Sequence, residues 1–514
     1  MTTLFRNALV VAMDDTRRAE PFRADVLVEN DRFSAVGKDL PVPDGATVVD
    51  ATDRLLMPGL VNAHVHSWEA LFKGRYDNLP LELWMLLAYP ILGLEPMPER
   101  LVYLRTLLVG MESLRSGTTC LLDDVIEMPT QSMDALDAVF RGYEDIGIRA
   151  NCSGNIVNRR YIDTLPFVDE VLPPDLLAAA RGTTPRTTDE YLEFSKEALA
   201  RYDGRAGRLR YVIAPSGPQR CTDDLLVAAD ELSKQHDTTL HIHVLETKMQ
   251  AVTGREFYGS TLVAHLDRLG VLSDRATLAH GIWLTDDDIA RLGESGASVA
   301  HNPLSNLKLG SGIAAWRALL DAGVNIGLGS DGLSTNDSAR MLDVVKSAAL
   351  LHKVSHPDYR TWPTADEVLW AATRGGARSA RLTDEVGAIE PGRKADFVVF
   401  DLRSVNFTPL NDVPSQLVYV ENGDSIREVW VNGDVVVRDG RCLLIDEEAV
   451  LAELRELAAE YMERFATVEQ ANQVFEPYVA QIYQRCCAEP MGINHWSGDE
   501  RTWLGGQAAG ESGA

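Results

Sequence analysis

The amino-acid sequence predicts an α/β protein: a (β/α)8 barrel with a small discontinuous β-sandwich domain and a C-terminal helical extension. Three observations point there. Eight short apolar runs alternate with helical patterns through the middle of the chain, the signature of parallel βα units. Two β-rich stretches with period-two alternation flank that middle. Beyond residue 442 the pattern turns helical again. A chain of 514 residues, 45% hydrophobic and 24% charged, is large enough to bury one sizeable core and a smaller one.

Taken in order, residues 1–57 open the β-domain, with the alternation Ala24–Glu29, an Asn30-Asp31 turn and the run Phe33–Val36. Residues 58–385 form the barrel. Its expected strands are Gly59–His66, Thr118–Asp124, Ile148–Asn155, Leu209–Ser216, Thr239–Glu246, Ala276–Gly281, Ser298–Pro303 and Asn325–Asp331. A long insertion, about residues 156–208, reads as helical between the third and fourth. Residues 386–442 complete the β-domain with Ala395–Phe400 and Glu428–Val435, so that both ends of the chain build one domain. Residues 443–514 begin as an amphipathic helix over Glu447–Phe465. Its stripe of Val450, Leu451, Leu454, Leu457, Ala458 and Tyr461 needs a partner surface, either its own domain or a second subunit. With the further apolar run Phe475–Tyr483, that stripe leads to the expectation of a homo-oligomer. The last stretch, Gly505–Ala514, is rich in Gly, Ser and Ala and is expected to be disordered.

Composition excludes some function classes. A net charge of -27 disfavours nucleic acid and anionic membranes, whose phosphates need basic patches, and leaves a small molecule as the expected partner. The first residues lack a basic segment followed by a long apolar run, and no stretch of about 20 apolar residues occurs. The six cysteines form no CxxC pattern and no evident disulfide framework. A cytoplasmic location is the resulting expectation.

The chemistry is carried by strand ends. Barrel enzymes place their reactive groups at the carboxyl ends of the strands. Of 11 histidines, six (His64, His66, His241, His243, His280 and His301) fall on such ends. Residues two apart on a strand face the same way, so His64 and His66 point together into the barrel mouth and are placed to chelate one metal. Histidines scattered for structural reasons would not cluster so. His241 reads as a polar residue of the barrel core, and His301 as either wall or substrate contact. Trp68 and Trp84 follow the first strand and either stack on a planar ring or pack in the core.

In combination these segments resemble the amidohydrolase superfamily, and within it the cytosine-deaminase-like branch of nucleoside and guanine deaminases and triazine hydrolases. The matching residues are Pro58-Gly59-Leu60-Val61-Asn62-Ala63-His64-Val65-His66, the His243/Glu246 pair, Ala279-His280, Ala300-His301-Asn302-Pro303-Leu304-Ser305-Asn306-Leu307-Lys308-Leu309-Gly310, Gly329-Ser330-Asp331-Gly332 and Gly387–Asp396. The resemblance covers about residues 1–442.

It implies His64, His66, His243 and Asp331 as metal ligands, and Glu246, His280 and Asp331 as catalytic groups. It also implies Trp84 and His301 as candidate substrate contacts. Imidazoles plus a carboxylate suit one divalent metal, Zn2+ or Fe2+. The fourth strand ends without the lysine that bridges two metals in other relatives, which points to a single ion. Glu246 would protonate a ring nitrogen, His280 would orient the water or the developing oxyanion, and Asp331 would take the water's proton. The implied reaction is hydrolytic deamination of a purine-, pterin- or triazine-type ring with release of ammonia. The alternative uses the same groups for dechlorination, N-dealkylation or cyclic amide hydrolysis. A non-catalytic structural role is disfavoured by the intact ligand set. Nucleoside-type relatives usually carry His-Ser where this chain has Ser216-Gly217, and an acidic pair where it has Glu82-Leu83.

Overall fold

A computed structural model describes residues 2–155, 157–355 and 357–496; the end expected to be disordered lies outside the described residues. The middle of the chain has a TIM-barrel-type α/β fold. Its parallel strands lie in two arcs. One arc holds Leu60–His66, Thr118–Asp123, Arg149–Ser153 and Leu209–Val212, and the other Leu240–Val244, Ala276–His280, Ser298–His301 and Asn325–Leu328. The arcs meet at an isolated parallel bridge between Ile213 and Leu240. On the other side the short strand Asp331–Gly332 pairs with Val65 and His66. Strands buried on both faces read as near-continuous apolar runs, and Leu60–His66 and Thr118–Asp123 are buried at every residue. The insertion is helical as expected, its longest helix Thr188–Tyr202 opening on a Thr187/Glu190 capping box.

Both chain ends do contribute to one β structure, but as a single sheet. Nine strands join it, because Phe397–Asp401 pairs antiparallel with Arg54–Pro58 and so adds the late strands to the edge of the early ones. The sheet folds back on itself: Phe33, on the strand Arg32–Gly37, lies 5.5 Å from Phe397 although four strand steps separate them, so the two halves face one another across a shared core. Phe5, Phe33, Phe397 and Trp430 pack together in it, with Phe397 and Trp430 stacked at 5.2 Å.

The helical extension finds its partner in its own chain. Helix Glu447–Asn472 buries Leu454, Tyr461 and Phe465 in the main core, with the Phe465 ring 4.9 Å from Phe72. Val450, Leu451, Leu457 and Ala458 are partly buried against the same core, which removes the uncovered stripe from which a homo-oligomer was argued. Asn472 then fastens the chain, accepting from Ile91 N and Leu92 N and donating to Leu92 O at 2.9–3.0 Å. Helix Glu476–Ala488 sinks Val479, Ile482 and Cys486 beside Leu86, Leu165 and Met249. Cys486-Cys487, which carry no sequence signal, are packing residues. No described helix is long and apolar enough to cross a membrane.

Candidate metal centre

His64 and His66 end the first barrel strand two residues apart, both buried, and their rings meet His243 from the fifth strand and Asp331 beyond the eighth. His64 Nε2 and His66 Nε2 lie 3.3 and 3.5 Å from Asp331 Oδ1. Two metal-competent groups, His64/His66/His243 and His64/His280/Asp331, share His64, and within each group the donor atoms are all within 4.8 Å of one another. The approach needs bare backbone. A Cβ on Gly329 would stand 2.3 Å from Asn302 Oδ1, and one on Gly332 would stand 1.8 Å from Glu69 Oε2.

The outer hydrogen bonds decide what these rings offer. His66 Nδ1 lies 2.8 Å from the Asp124 carbonyl and His243 Nδ1 2.9 Å from the Ser216 carbonyl. A carbonyl only accepts, so each Nδ1 carries the proton and each Nε2 is left with a lone pair. The two Nε2 atoms face each other at 3.1 Å. His64 Nε2 is buried with no hydrogen-bond partner, while its Nδ1 pairs with His241 Nε2 at 2.8 Å. Lone pairs turned on one another beside a carboxylate suit a cation between them, so the residues fit a divalent metal with borderline-soft nitrogen and oxygen donors. His241 is thus a wall residue that holds a candidate ligand. Burial and the neighbouring rings keep His243 well below its ordinary pKa, neutral as coordination demands.

Three of the strand ends are held in the left-handed region that side chains other than glycine rarely adopt: Leu245 at φ 54°, His280 at 76° and Asp331 at 61°. The turn at Leu245 explains Glu246. Simple alternation from His243 would send it to the outer face; the left-handed residue reverses that and returns it to the cavity. Glu246 Oε2 lies 3.5 Å from His280 Nε2, and Oε1 is buried without a partner. Burial, helped by the charges of Asp331, Glu82 and Glu69, raises the Glu246 carboxyl well above the usual range and favours its protonated form.

His280 is the opposite case, held down to about 3 by burial and therefore neutral. Its Nδ1 accepts from Asn306 Nδ2 at 2.9 Å and Asn302 Nδ2 at 3.3 Å, which leaves Nε2–H as a donor toward Glu246 and Asp331. For Asp331, burial alone would raise the carboxyl. The His64 and His280 rings outweigh burial and keep it well below the carboxylate range, and Ser305 Oγ donates to its Oδ2 at 2.6 Å.

These groups open on a cavity of about 80 Å³. Trp84 lines it, its Nε1 donating to Ser334 Oγ at 3.2 Å. Trp68 is fully buried and is not among the lining residues. His301 is a correction: it does not line this cavity, and its Nε2 lies 3.1 Å from His352 Nε2 with Trp316 alongside. His301 shares the outer face of its strand with Val299, and it is the next residue, Asn302, that turns inward. Asn302 begins the helix Pro303–Lys308 without capping it: its Nδ2 faces His280, and its Oδ1 is buried without a partner. The Asn302/Asn306 spacing of four is a signal that sequence reasoning missed. Glu69 and Asp124 had none. Glu69 accepts from Ser334 Oγ at 2.8 Å and Tyr89 Oη at 3.0 Å, and burial raises it to about 7. Asp124 accepts from Ser153 Oγ at 2.6 Å and Asn155 Nδ2 at 2.7 Å.

A convergent His/Asp donor set, a buried carboxyl and a neutral imidazole donor at the ends of parallel strands define a metal-dependent hydrolase site. Known proteins agree. Residues 55–436 match the amidohydrolase family model. The chain is 33% identical over 464 residues to a 5'-deoxyadenosine deaminase of Methanosarcina mazei, covering 90% of this chain and 98% of that protein. It is 35% identical over 437 residues to a 5-methylthioadenosine/S-adenosylhomocysteine deaminase of Thermococcus kodakarensis, covering 85% and 94%. Among solved structures, a zinc-bound adenosine deaminase from Xanthomonas campestris superposes with a TM-score of 0.78 at 30% identity, covering 90% of this chain and 98% of that one. A zinc-bound atrazine chlorohydrolase from Arthrobacter aurescens does so with a TM-score of 0.79 at 26% identity, covering 89% and 100%. The chain belongs to the amidohydrolase family.

Proposed function

We propose that the protein hydrolyses an amino-substituted nitrogen heterocycle of purine, pterin or triazine type and releases ammonia. One divalent ion, Zn2+ or Fe2+, would be held by His64, His66, His243 and Asp331. The observation that carries this reading is the pairing of buried Glu246, whose protonated form burial favours, with the Nε2 of His280, 3.5 Å apart beside the donor set. A metal bound there supplies Lewis acidity and makes water nucleophilic near neutral pH.

The chain's own groups do the rest. Asp331 receives a proton from the attacking water. Glu246 gives its proton to the ring nitrogen next to the amino-bearing carbon, which makes that carbon electrophilic. Water oxygen adds to it, and His280 donates to that oxygen. The proton held by Asp331 passes to the amino group, the C–N bond breaks, the proton of the added hydroxyl returns to the Glu246 carboxylate, and ammonia leaves an oxo-substituted ring. The similarity to a chlorohydrolase supports a second reading in which chloride leaves by the same route. We further read the chain as a barrel over 58–385, a β-domain from 1–57 and 386–442, and an extension from 443 onward.

A panel of aminopurines, aminopterins and aminotriazines, assayed for ammonia release by zinc-loaded protein, tests the reaction. Turnover of at least one member is expected. Chloride or alkylamine release alone would replace deamination by the second reading.

A further inference from the structure

The loop after the fourth barrel strand leaves a row of unmet hydrogen-bonding groups on the cavity wall. Its first residue is fastened to a candidate ligand, since the Ser216 carbonyl accepts from His243 N at 3.1 Å and from His243 Nδ1 at 2.9 Å. From there the chain runs outward through the turn Pro218–Arg220. Ser216 Oγ, Gln219 Oε1 and Arg220 Nε are all buried without a hydrogen-bond partner. Ser216 is 1% exposed and Gln219 6%, so neither side chain is turned to solvent. All three residues line the cavity that holds His66, His243, Glu246 and Asp331.

Arg220 is the informative one. Its guanidinium makes no ion pair among the described residues, in a chain with 76 acidic residues against 49 basic ones. A guanidinium keeps its charge at neutral pH. Arg220 is half-buried, but its Nε is buried without a partner, and a partner arriving in the cavity would offset the cost of that unpaired N–H. Arg220 also lines a second cavity, which shares Met85, Tyr89, Ile126 and Tyr161 with the first. None of the candidate metal ligands lines that second cavity.

We infer that Arg220, with Gln219 beside it, is a specificity residue that receives an oxo or anionic oxygen on the substrate ring, on the edge turned away from the reacting carbon. The inference rests on the reading of the pocket as a site for a nitrogen heterocycle. Arg220 donates N–H groups to the ring oxygen, and Gln219 offers an acceptor to an adjacent ring N–H, so the pair reads the lactam edge of an oxo-heterocycle. A ring with only C–H at that edge would leave the guanidinium as unpaired as it is without substrate. The preferred substrates are thus oxo-substituted aminoheterocycles.

The test is binding, measured by calorimetry on the zinc-loaded E246Q protein so that turnover does not interfere. The ligands are matched pairs that differ by one ring oxygen: isoguanine against adenine, guanine against 2-aminopurine, and cytosine against 4-aminopyrimidine. The protein should favour the oxo member of at least one pair. In R220M/E246Q that preference should fall about tenfold to hundredfold, the range for a hydrogen bond to a charged group, and R220K/E246Q should recover part of it. Zinc content and the circular dichroism spectrum, unchanged in the variants, show that the fold is kept. No preference for an oxo member, or the same preference after R220M, overturns the inference. Ammonia release by the unmodified protein is scored separately: its failure defeats deamination, while the binding ratio still decides Arg220.

Discussion

The floor of the pocket and its wall are built by different rules. The floor is a set of strand ends, where His64, His66, His243, His280 and Asp331 are fixed by strand alternation and by neighbours within the barrel. The wall comes from segments far apart in the chain. Helix Leu81–Ala88 brings in Trp84, the insertion brings in Tyr161 and Leu165, and helix Glu476–Ala488 backs both by packing on Leu86, Ile162 and Leu165. Chemistry thus sits on the rigid part, while the shape of the pocket depends on a tail that lies outside the 55–436 family match. The contrast predicts that damage to the floor removes turnover at constant stability, whereas damage to the wall removes stability first.

The largest effect falls on the floor. Glu246→Gln is nearly isosteric but has no carboxyl proton to deliver, so kcat should drop about 100- to 10,000-fold with metal content unchanged. Near-normal turnover on a true substrate would break the assignment of Glu246 and the contrast with it. On the wall, Phe475 is fully buried where the tail meets Leu86 and Val168. Phe475→Ala should cost about 3–5 kcal/mol of stability, seen as a lowered Tm or denaturant midpoint, with metal content kept. An unchanged midpoint would make the tail an appendage.

A smaller effect would sharpen the boundary between the two regions. Among the described residues the Asn306 side chain hydrogen-bonds only to His280, whose Nδ1 it holds as an acceptor. Asn306→Ala frees the other tautomer, so kcat should fall about fivefold to tenfold, the worth of one neutral hydrogen bond, with KM nearly constant. A rise in KM alone would mean that Asn306 shapes the pocket and leaves the His280 proton unaffected.

The same contrast governs how much was readable from sequence. Strand alternation has a period of two and strand ends carry recognisable residues, so the candidate ligands could be named without a structure. His301 went wrong because the strand Ser298–His301 ends one residue before the chain turns inward, and parity alone does not mark the last residue. The hydrogen bonding that joins Arg54–Pro58 to Phe397–Asp401 was not readable, because alternation shows which face of a strand is buried but not which edge it pairs with. The extension's stripe was visible, yet its partner, helix Glu99–Arg115 with Phe72, lies more than 300 residues earlier and leaves no local trace. Gln219 and Arg220 acquire meaning only from their unmet hydrogen bonds, which are a property of packing.

The central claim is that one metal ion sits among His64, His66, His243 and Asp331. Elemental analysis of protein purified without added metal, alongside the H66A and H243A variants, tests it most directly. About one zinc or iron per chain is expected in the unmodified protein and a loss of most of it in both variants, because each variant removes one of the two opposed Nε2 donors 3.1 Å apart. Two ions per chain, or full metal content after removal of either histidine, would contradict it.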